Sequence, residues 1–311
     1  MTDSISVTRP EEVGAVAALR VSPDPRFPII KRTIPTPVAL KGKIMPEFPC
    51  NGPISIQVSI TSGSVDITTE VRDTVNVVVT PAGNNEQSRA AAEATEVIFE
   101  GDKLTVEAPE NSGRWLRGNA SIRVDVQAPV NSNAQIGVAS ASVKCRGRYG
   151  QIEVGAAAGD VEIEEVEGDA SIGTASGDIR VSSVGGQLEV ATASGDLTVT
   201  RVDGTAQLKT ASGDFEITET GSDVHHKSAS GDLQIGAVHR GTLSASTASG
   251  EVSIAVVPDT GVWLDLDSVS GSINNVLDTP GSPPDAHDLS IQVRTVSGDI
   301  DILRTHSRTA V

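Results

Sequence analysis

The chain is 311 residues long, carries a formal net charge of −17 and has only 2% aromatic side chains. So acidic a surface repels nucleic-acid phosphates and anionic membranes, and no Lys/Arg cluster interleaved with aromatics offsets it locally. No apolar run approaches the roughly 20 residues that span a bilayer, so nucleic acid and membrane insertion are both set aside.

Residues 1–44 are punctuated by proline and show no hydrophobic period, which predicts a disordered arm. The opening MTDSISVTRPEEVGAVAALR has acidic residues early and only a short Ala/Val stretch. It lacks the basic start and apolar centre of a secretory signal, so a cytoplasmic protein is expected. Met45, directly before PEFPCNGPISIQVSITSGSVDI, stands at a natural start of the folded unit. Over 45–135 the runs ISIQVSI, VNVVVT, KLTVEAP and SIRVDVQAP alternate with the two-residue period of half-buried strands but do not repeat. EGDK joins EVIF to LTVEA as a hairpin turn, and EQSRAAAEAT is the one helical stretch. Together they predict an N-terminal antiparallel β cap.

From 136 to 306 a period takes over. Gly159, Gly177, Gly195, Gly213 and Gly231 each open a Gly-Asp turn, and each lies 18 residues after the last. Gly250, Gly271 and Gly298 continue the series at intervals of 19, 21 and 27, which indicates insertions toward the C-terminal end. After each turn apolar residues alternate: Val161/Ile163, Ile179/Val181, Leu197/Val199, Phe215/Ile217, Leu233/Ile235 and Val252/Ile254. Glu162, Arg180, Thr198, Glu216 and Gln234 fall between them, so one side is buried and the other wet.

A second turn, marked by Gly168, Gly186 and Gly204, precedes the pairs Ala170/Ile172, Leu188/Val190 and Ala206/Leu208. A further column, Val166, Val184, Val202 and Val238, is broken by Thr220. Two short strands per 18-residue rung, stacked in register, predict an all-β fold: a parallel two-sheet β-solenoid. One rung buries too few side chains to offset its own ordering, so neighbours and end caps are required. GVWLDLDSVSGSINN and LSIQVRTVSGDIDIL, flanking the Pro/Gly/Asp-rich DTPGSPPDAHD, supply the C-terminal cap, and 307–311 form a tail.

The recurring turn has two readings. In the structural one, Gly195 supplies a positive φ while Ser194 and Asp196 hydrogen-bond nearby amides at the bend. In the functional one, Asp160, Asp178, Asp196, Asp214 and Asp232 stack one rung apart, with Glu251 next, as a metal ladder for divalent cations. Unit charges about 4.8 Å apart in water repel by roughly 0.9 kcal/mol before screening, which the stack tolerates without a bound ion. Calcium-binding β-rolls use G-G-x-G-x-D in both halves, whereas the second half here offers Asp169, Gln187, Thr205, Asp223 and Thr242.

Carboxylates at this spacing also resemble the pair of a retaining glycosidase, roughly 5 Å apart. That chemistry needs two unlike environments, and a ladder of equivalent turns gives like ones. His225 and His226 are adjacent, His239, His287 and His306 are isolated, and no two share a column one rung apart. No metal or triad pattern follows. His226 occupies the column of Ile172, Val190 and Leu208, so either its rung slips or the imidazole has a buried partner. Cys50 and Cys145 form neither a disulfide framework nor a zinc motif and read as small buried side chains.

The opening PISIQVSITSGSVDI, the series ASGDIRV, ASGDLTV, ASGDFEI and ASGDLQI, and the closing VSGSINN and VSGDIDI carry a family resemblance. Over roughly 45–306 the chain resembles the bacterial β-strand-repeat family of unknown function labelled "putative adhesin". The resemblance implies a β-solenoid and, by name alone, adhesion; it brings no established catalytic residues. The expectation is a non-enzymatic scaffold or adhesin-like binding protein without a cofactor, whose partner is a protein or a cell-surface component. A calcium-binding, β-roll-like module is the alternative.

Overall fold

Apolar residues at every second position give strands with one face to bury, and successive rungs can bury those faces only by stacking in register. The structure is a computed structural model that describes residues 47–109, 120–277 and 288–305. The arm expected over 1–44, Met45, the tail at 307–311, His287, His306 and all of DTPGSPPDAHD except Asp288 lie outside the described residues.

The N-terminal elements are β1 (Glu47–Pro49), β2 (Ser55–Glu70), β3 (Thr74–Pro81), α1 (Glu86–Ala94), β4 (Glu96–Glu100), β5 (Lys103–Glu107) and β6 (Ile122–Pro129). A long strand, β7 (Ser132–Ala158), leads into the repeat. There follow β8 (Val161–Val166), β9 (Ala170–Ser176), β10 (Ile179–Val184), β11 (Leu188–Ser194), β12 (Leu197–Val202) and β13 (Ala206–Ser212). Then come β14 (Phe215–Thr220), β15 (Val224–Ser230), β16 (Leu233–Val238), β17 (Gly241–Ser249) and β18 (Val252–Val256). The last are β19 (Val262–Ser270), β20 (Ile273–Asn275), β21 (Leu289–Ser297) and β22 (Ile300–Arg304).

From β8 to β18 the even-numbered strands pair in parallel with one another, and β9 to β17 form a second parallel ladder. Like positions face like: Ile179, Leu197, Phe215, Leu233 and Val252 make one file, and Ala170, Leu188, Ala206, Val224 and Leu243 another. All ten are buried. The two ladders meet across the core, where Phe215 of one packs edge-on against His226 of the other, with ring centroids 5.5 Å apart. The fold is thus the parallel β-solenoid that the 18-residue period predicts.

At the N-terminal end the cap combines both pairing modes. β3 runs antiparallel to β1 and β6, and β4 antiparallel to β5 around the EGDK turn. β2, however, pairs in parallel with β5, β6 and β7, so rung-like stacking reaches back to Ser55. The outer cap strands are antiparallel, while those touching the first rungs adopt the parallel ladder that β7 presents. α1 forms over EQSRAAAEA, with Asn85 Oδ1 capping it by accepting from Ser88 N at 2.7 Å and Ala91 and Ala92 turned inward.

The C-terminal end departs from chain order. β21 lies between β17 and β19, and β22 between β18 and β20, so the turn glycines stack as Gly250, Gly298, Gly271. Side chains explain the exchange. Leu289, Ile291 and Val293 of β21 are fully buried, as an interior strand demands. β19 carries Trp263, Asp265 and Asp267 and leaves Val262, Leu264 and Leu266 half-buried, as suits an outermost strand.

Two polar side chains interrupt the buried files of the repeat. Thr220 holds its register between Val202 and Val238 and is fully buried. His226 stays in register with Leu208 and Ala245, so its rung does not slip. Nor does the imidazole find a partner, since neither ring nitrogen has a hydrogen bond. The structure shows instead a buried imidazole in register, packed edge-on against Phe215 and without a hydrogen-bond partner.

The turn glycines set how closely rungs approach. Gly195 has φ 132°, and a Cβ there would overlap Gly177 O of the rung before. Gly173, facing outward, would put a Cβ into open space. Gly195→Ala is expected to destabilise the fold by about 1–3 kcal/mol or more, whereas Gly173→Ala is expected to be neutral or slightly stabilising. Thermal unfolding of the two variants beside the parent distinguishes them.

Candidate functional site

Each Gly-Asp turn is completed by its neighbours. Ile179 N donates to Asp196 O and Leu197 N to Asp214 O, one rung further along. The carboxylates answer in the opposite direction. Asp160 Oδ1 accepts from Asp178 N at 3.1 Å, Asp178 Oδ1 from Asp196 N at 3.3 Å, and Asp196 Oδ1 from Asp214 N at 2.9 Å. Asp214 Oδ1 and Asp232 Oδ1 accept likewise from Asp232 N at 2.9 Å and Glu251 N at 2.7 Å.

The five candidate aspartates do stack one rung apart, but one oxygen of each is committed to the main chain of the next rung. This corrects the expectation of bonds confined to the bend. Ser194 contributes its carbonyl, which accepts from Thr192 Oγ1 at 3.2 Å. The second turn uses the same device: Asn133, Asp169 and Asp223 accept from Gln151 N, Gln187 N and Thr242 N at 2.9, 2.8 and 2.7 Å. Among the described residues no three His, Cys, Asp or Glu side chains come together as a metal site.

The far end of the ladder is the most crowded with carboxylates. Desolvation first, then Asp301, Asp232 and Asp299, hold the Glu251 carboxyl above its ordinary range. Asp299 is held below its range by the bond it accepts from Ser272 N, at 2.7 Å. Desolvation and carboxylate crowding thus act on one residue, and a main-chain donor acts on the other.

Two depressions lie beside the turns. One, of about 620 Å³, is bordered by Gln135, Gln151, Glu153, Asp169 and Gln187 along the second turn. The other, of about 580 Å³, lies where β7 carries a bulge between Cys145 and Arg148. There Glu164 Oε2 accepts from Gly147 N at 2.6 Å, and Arg148 pairs with Glu165 and Glu167 at 3.2 and 3.4 Å. Sequence periodicity missed this cluster because an extra residue in one strand brings it together. Gly147, with φ 86° inside an otherwise alternating run, is the signal that could have revealed it.

The remaining candidates are separated. His225 points outward, and His239 Nε2 lies 3.0 Å from Glu219 Oε1, which also takes Arg201 Nη1 at 3.4 Å. Cys50 and Cys145 are free and buried. Burial pushes the Cys145 thiol up to about 12, and burial also raises neighbouring Tyr149, whose Oη donates to Ile67 O at 2.7 Å. A thiol held protonated in this way is a poor nucleophile. The longest continuous features are the outward files, such as Glu162, Arg180, Thr198, Glu216 and Gln234. On the other ladder Glu153, Ser171, Glu189, Gln207 and His225 form the equivalent file.

Residues 54–303 match the model of the family described as Toastrack DUF4097. No curated protein matches the chain. Among solved structures, a "putative adhesin" from Bacteroides fragilis is similar at 13% identity and a TM-score of 0.45, covering 85% of this chain and 98% of its own. A "putative adhesin" from Parabacteroides distasonis is similar at 11% identity and 0.44, covering 84% and 98%. A "putative lipid binding protein" from that organism is similar at 11% identity and 0.43, covering 86% and 98%.

The ladder geometry gives a direct test. Asp196→Ala leaves the exposed Asp214 amide to water, so the expected loss is only about 0.5–1 kcal/mol of stability. Millimolar calcium is expected to leave Tm unchanged in scanning fluorimetry. A rise that grows with calcium and vanishes in Asp196→Ala would assign the ladder to cation binding.

Proposed function

Given that this chain belongs to the Toastrack DUF4097 family, we propose that it is a non-enzymatic β-solenoid scaffold, an adhesin-like binding protein whose flat polar faces carry the contacts. The observation that supports this most is the register of the outward files. Glu162, Arg180, Thr198, Glu216 and Gln234 repeat at the spacing of adjacent strands, about 4.8 Å, on a backbone held from both sides. Such a surface offers an extended partner many equivalent contacts at little cost in side-chain reorganisation.

A protein or cell-surface component suits it better than nucleic acid, given the formal net charge of −17. A cytoplasmic setting accords with the free thiols of Cys50 and Cys145. No helix among the described residues is long and apolar enough to cross a membrane.

The faces are tested separately by Thr198→Arg/Glu216→Arg/Gln234→Arg on one ladder and Lys209→Glu/Lys227→Glu on the other. These side chains are exposed, so both variants are expected to keep the parental Tm. At least one is expected to lose the partner that the parent retains in affinity capture from its native cell. Capture by both variants at the parental level, or no partner retained by the parent, would overturn the reading.

A further inference from the structure

The rung from Gly213 to Ser230 differs from its neighbours in three core positions at once. It places Phe215 in the file of Leu197 and Leu233, Thr220 in the file of Val202 and Val238, and His226 between Leu208 and Ala245. His226 is 1% exposed, and both its nitrogens lack a hydrogen-bond partner. The Phe215 ring packs edge-on against it, with centroids 5.5 Å apart.

We propose that this rung is an acid-operated opening point in the stack, at which protonation of His226 detaches β15 from β13 and β17 while the rest of the solenoid persists.

A charged imidazole in this place would have no counter-ion. The inward residues of the strands around it are Ala206, Leu208 and Thr210 on β13, Leu243, Ala245 and Thr247 on β17, Phe215, Ile217 and Thr220 on β14, and Leu233, Ile235 and Val238 on β16. All are buried and none ionises. The titratable groups on these elements are Lys209 on β13, Glu216 and Glu219 on β14, and His225 and Lys227 on β15 itself, and all lie on the outer surface. β16 and β17 carry none. An imidazolium must therefore reach water, and in a β-solenoid that means separating strands.

The sign of the effect follows from linkage. Burial lowers His226 to about 4 from an ordinary 6.5, so the opened state binds the proton more readily than the closed one. Stability is complete above the ordinary value and is lost as pH falls through the window down to about 4. Because each rung contacts only its neighbours, the loss concentrates at this point instead of spreading along the stack.

Hydrogen–deuterium exchange of the full chain at pH 7.5 and 5.0, corrected for intrinsic rate, provides the test. Opening of 206–212, 224–230 and 241–249 is expected to rise on the order of 20-fold at the lower pH. His226→Leu, which restores the residue type of the file, is expected to abolish that rise. Thr220→Val, removing the other polar interruption without a titratable group, is expected to retain it. An equal rise in His226→Leu, a rise confined to strands outside this region, or no rise in the parent would each overturn the proposal.

Discussion

A strand in this stack meets its main-chain partners one rung away. Ile179 N reaches Asp196 O, and Asp196 Oδ1 reaches Asp214 N, so the turn as well as the strand is completed by the neighbouring rung. Buried backbone groups without partners are costly, which makes the interval between rungs the quantity that the rest of the structure must respect. The turn glycines permit that interval, because any Cβ at Gly177, Gly195 or Gly213 would occupy the carbonyl of the rung before. The aspartates then span it. What resembles a ladder of ligand carboxylates is largely the seam between rungs.

This division of labour accounts for where chemistry is and is not found. Inward positions are filled mostly by aliphatic side chains, with one recurring file of buried threonines (Thr174, Thr192, Thr210), and outward positions form files of exposed side chains. The cluster around Arg148, Glu164 and Glu165 arises where β7 breaks the register. Repetition thus lays like side chains in long outward files, and departures from it create local clusters.

Much of this architecture was legible in the sequence because its cause is local and repeated. The 18-residue interval between Gly159 and Gly231, the alternation after each turn and the Val166–Val184–Val202 file each report the same stacking. The hairpin at EGDK and the helix after Asn85 were legible from turn and capping chemistry. The parallel joining of β2 to β7 was not, since the partners lie 78 residues apart and nothing in alternation specifies direction. The insertion of β21 between β17 and β19 was hidden for a related reason: both β19 and β21 fit the period, and only burial decides which lies inside. At the turns, residue types pointed to the aspartates, but a one-dimensional reading could not tell a bond within a bend from one between rungs.

That insertion imposes an order on assembly as the polypeptide leaves the ribosome. Through β18 each new pair of strands finds a waiting edge as it emerges, and growth can follow synthesis. β19 and β20 emerge next, yet the strands that hold them, β21 and β22, are still inside the exit tunnel or not yet made. The native outermost layer therefore waits for the last strands to be placed beneath it. The outermost layer is therefore secured by the fourteen residues of the two strands Leu289–Ser297 and Ile300–Arg304, although it precedes them in the chain.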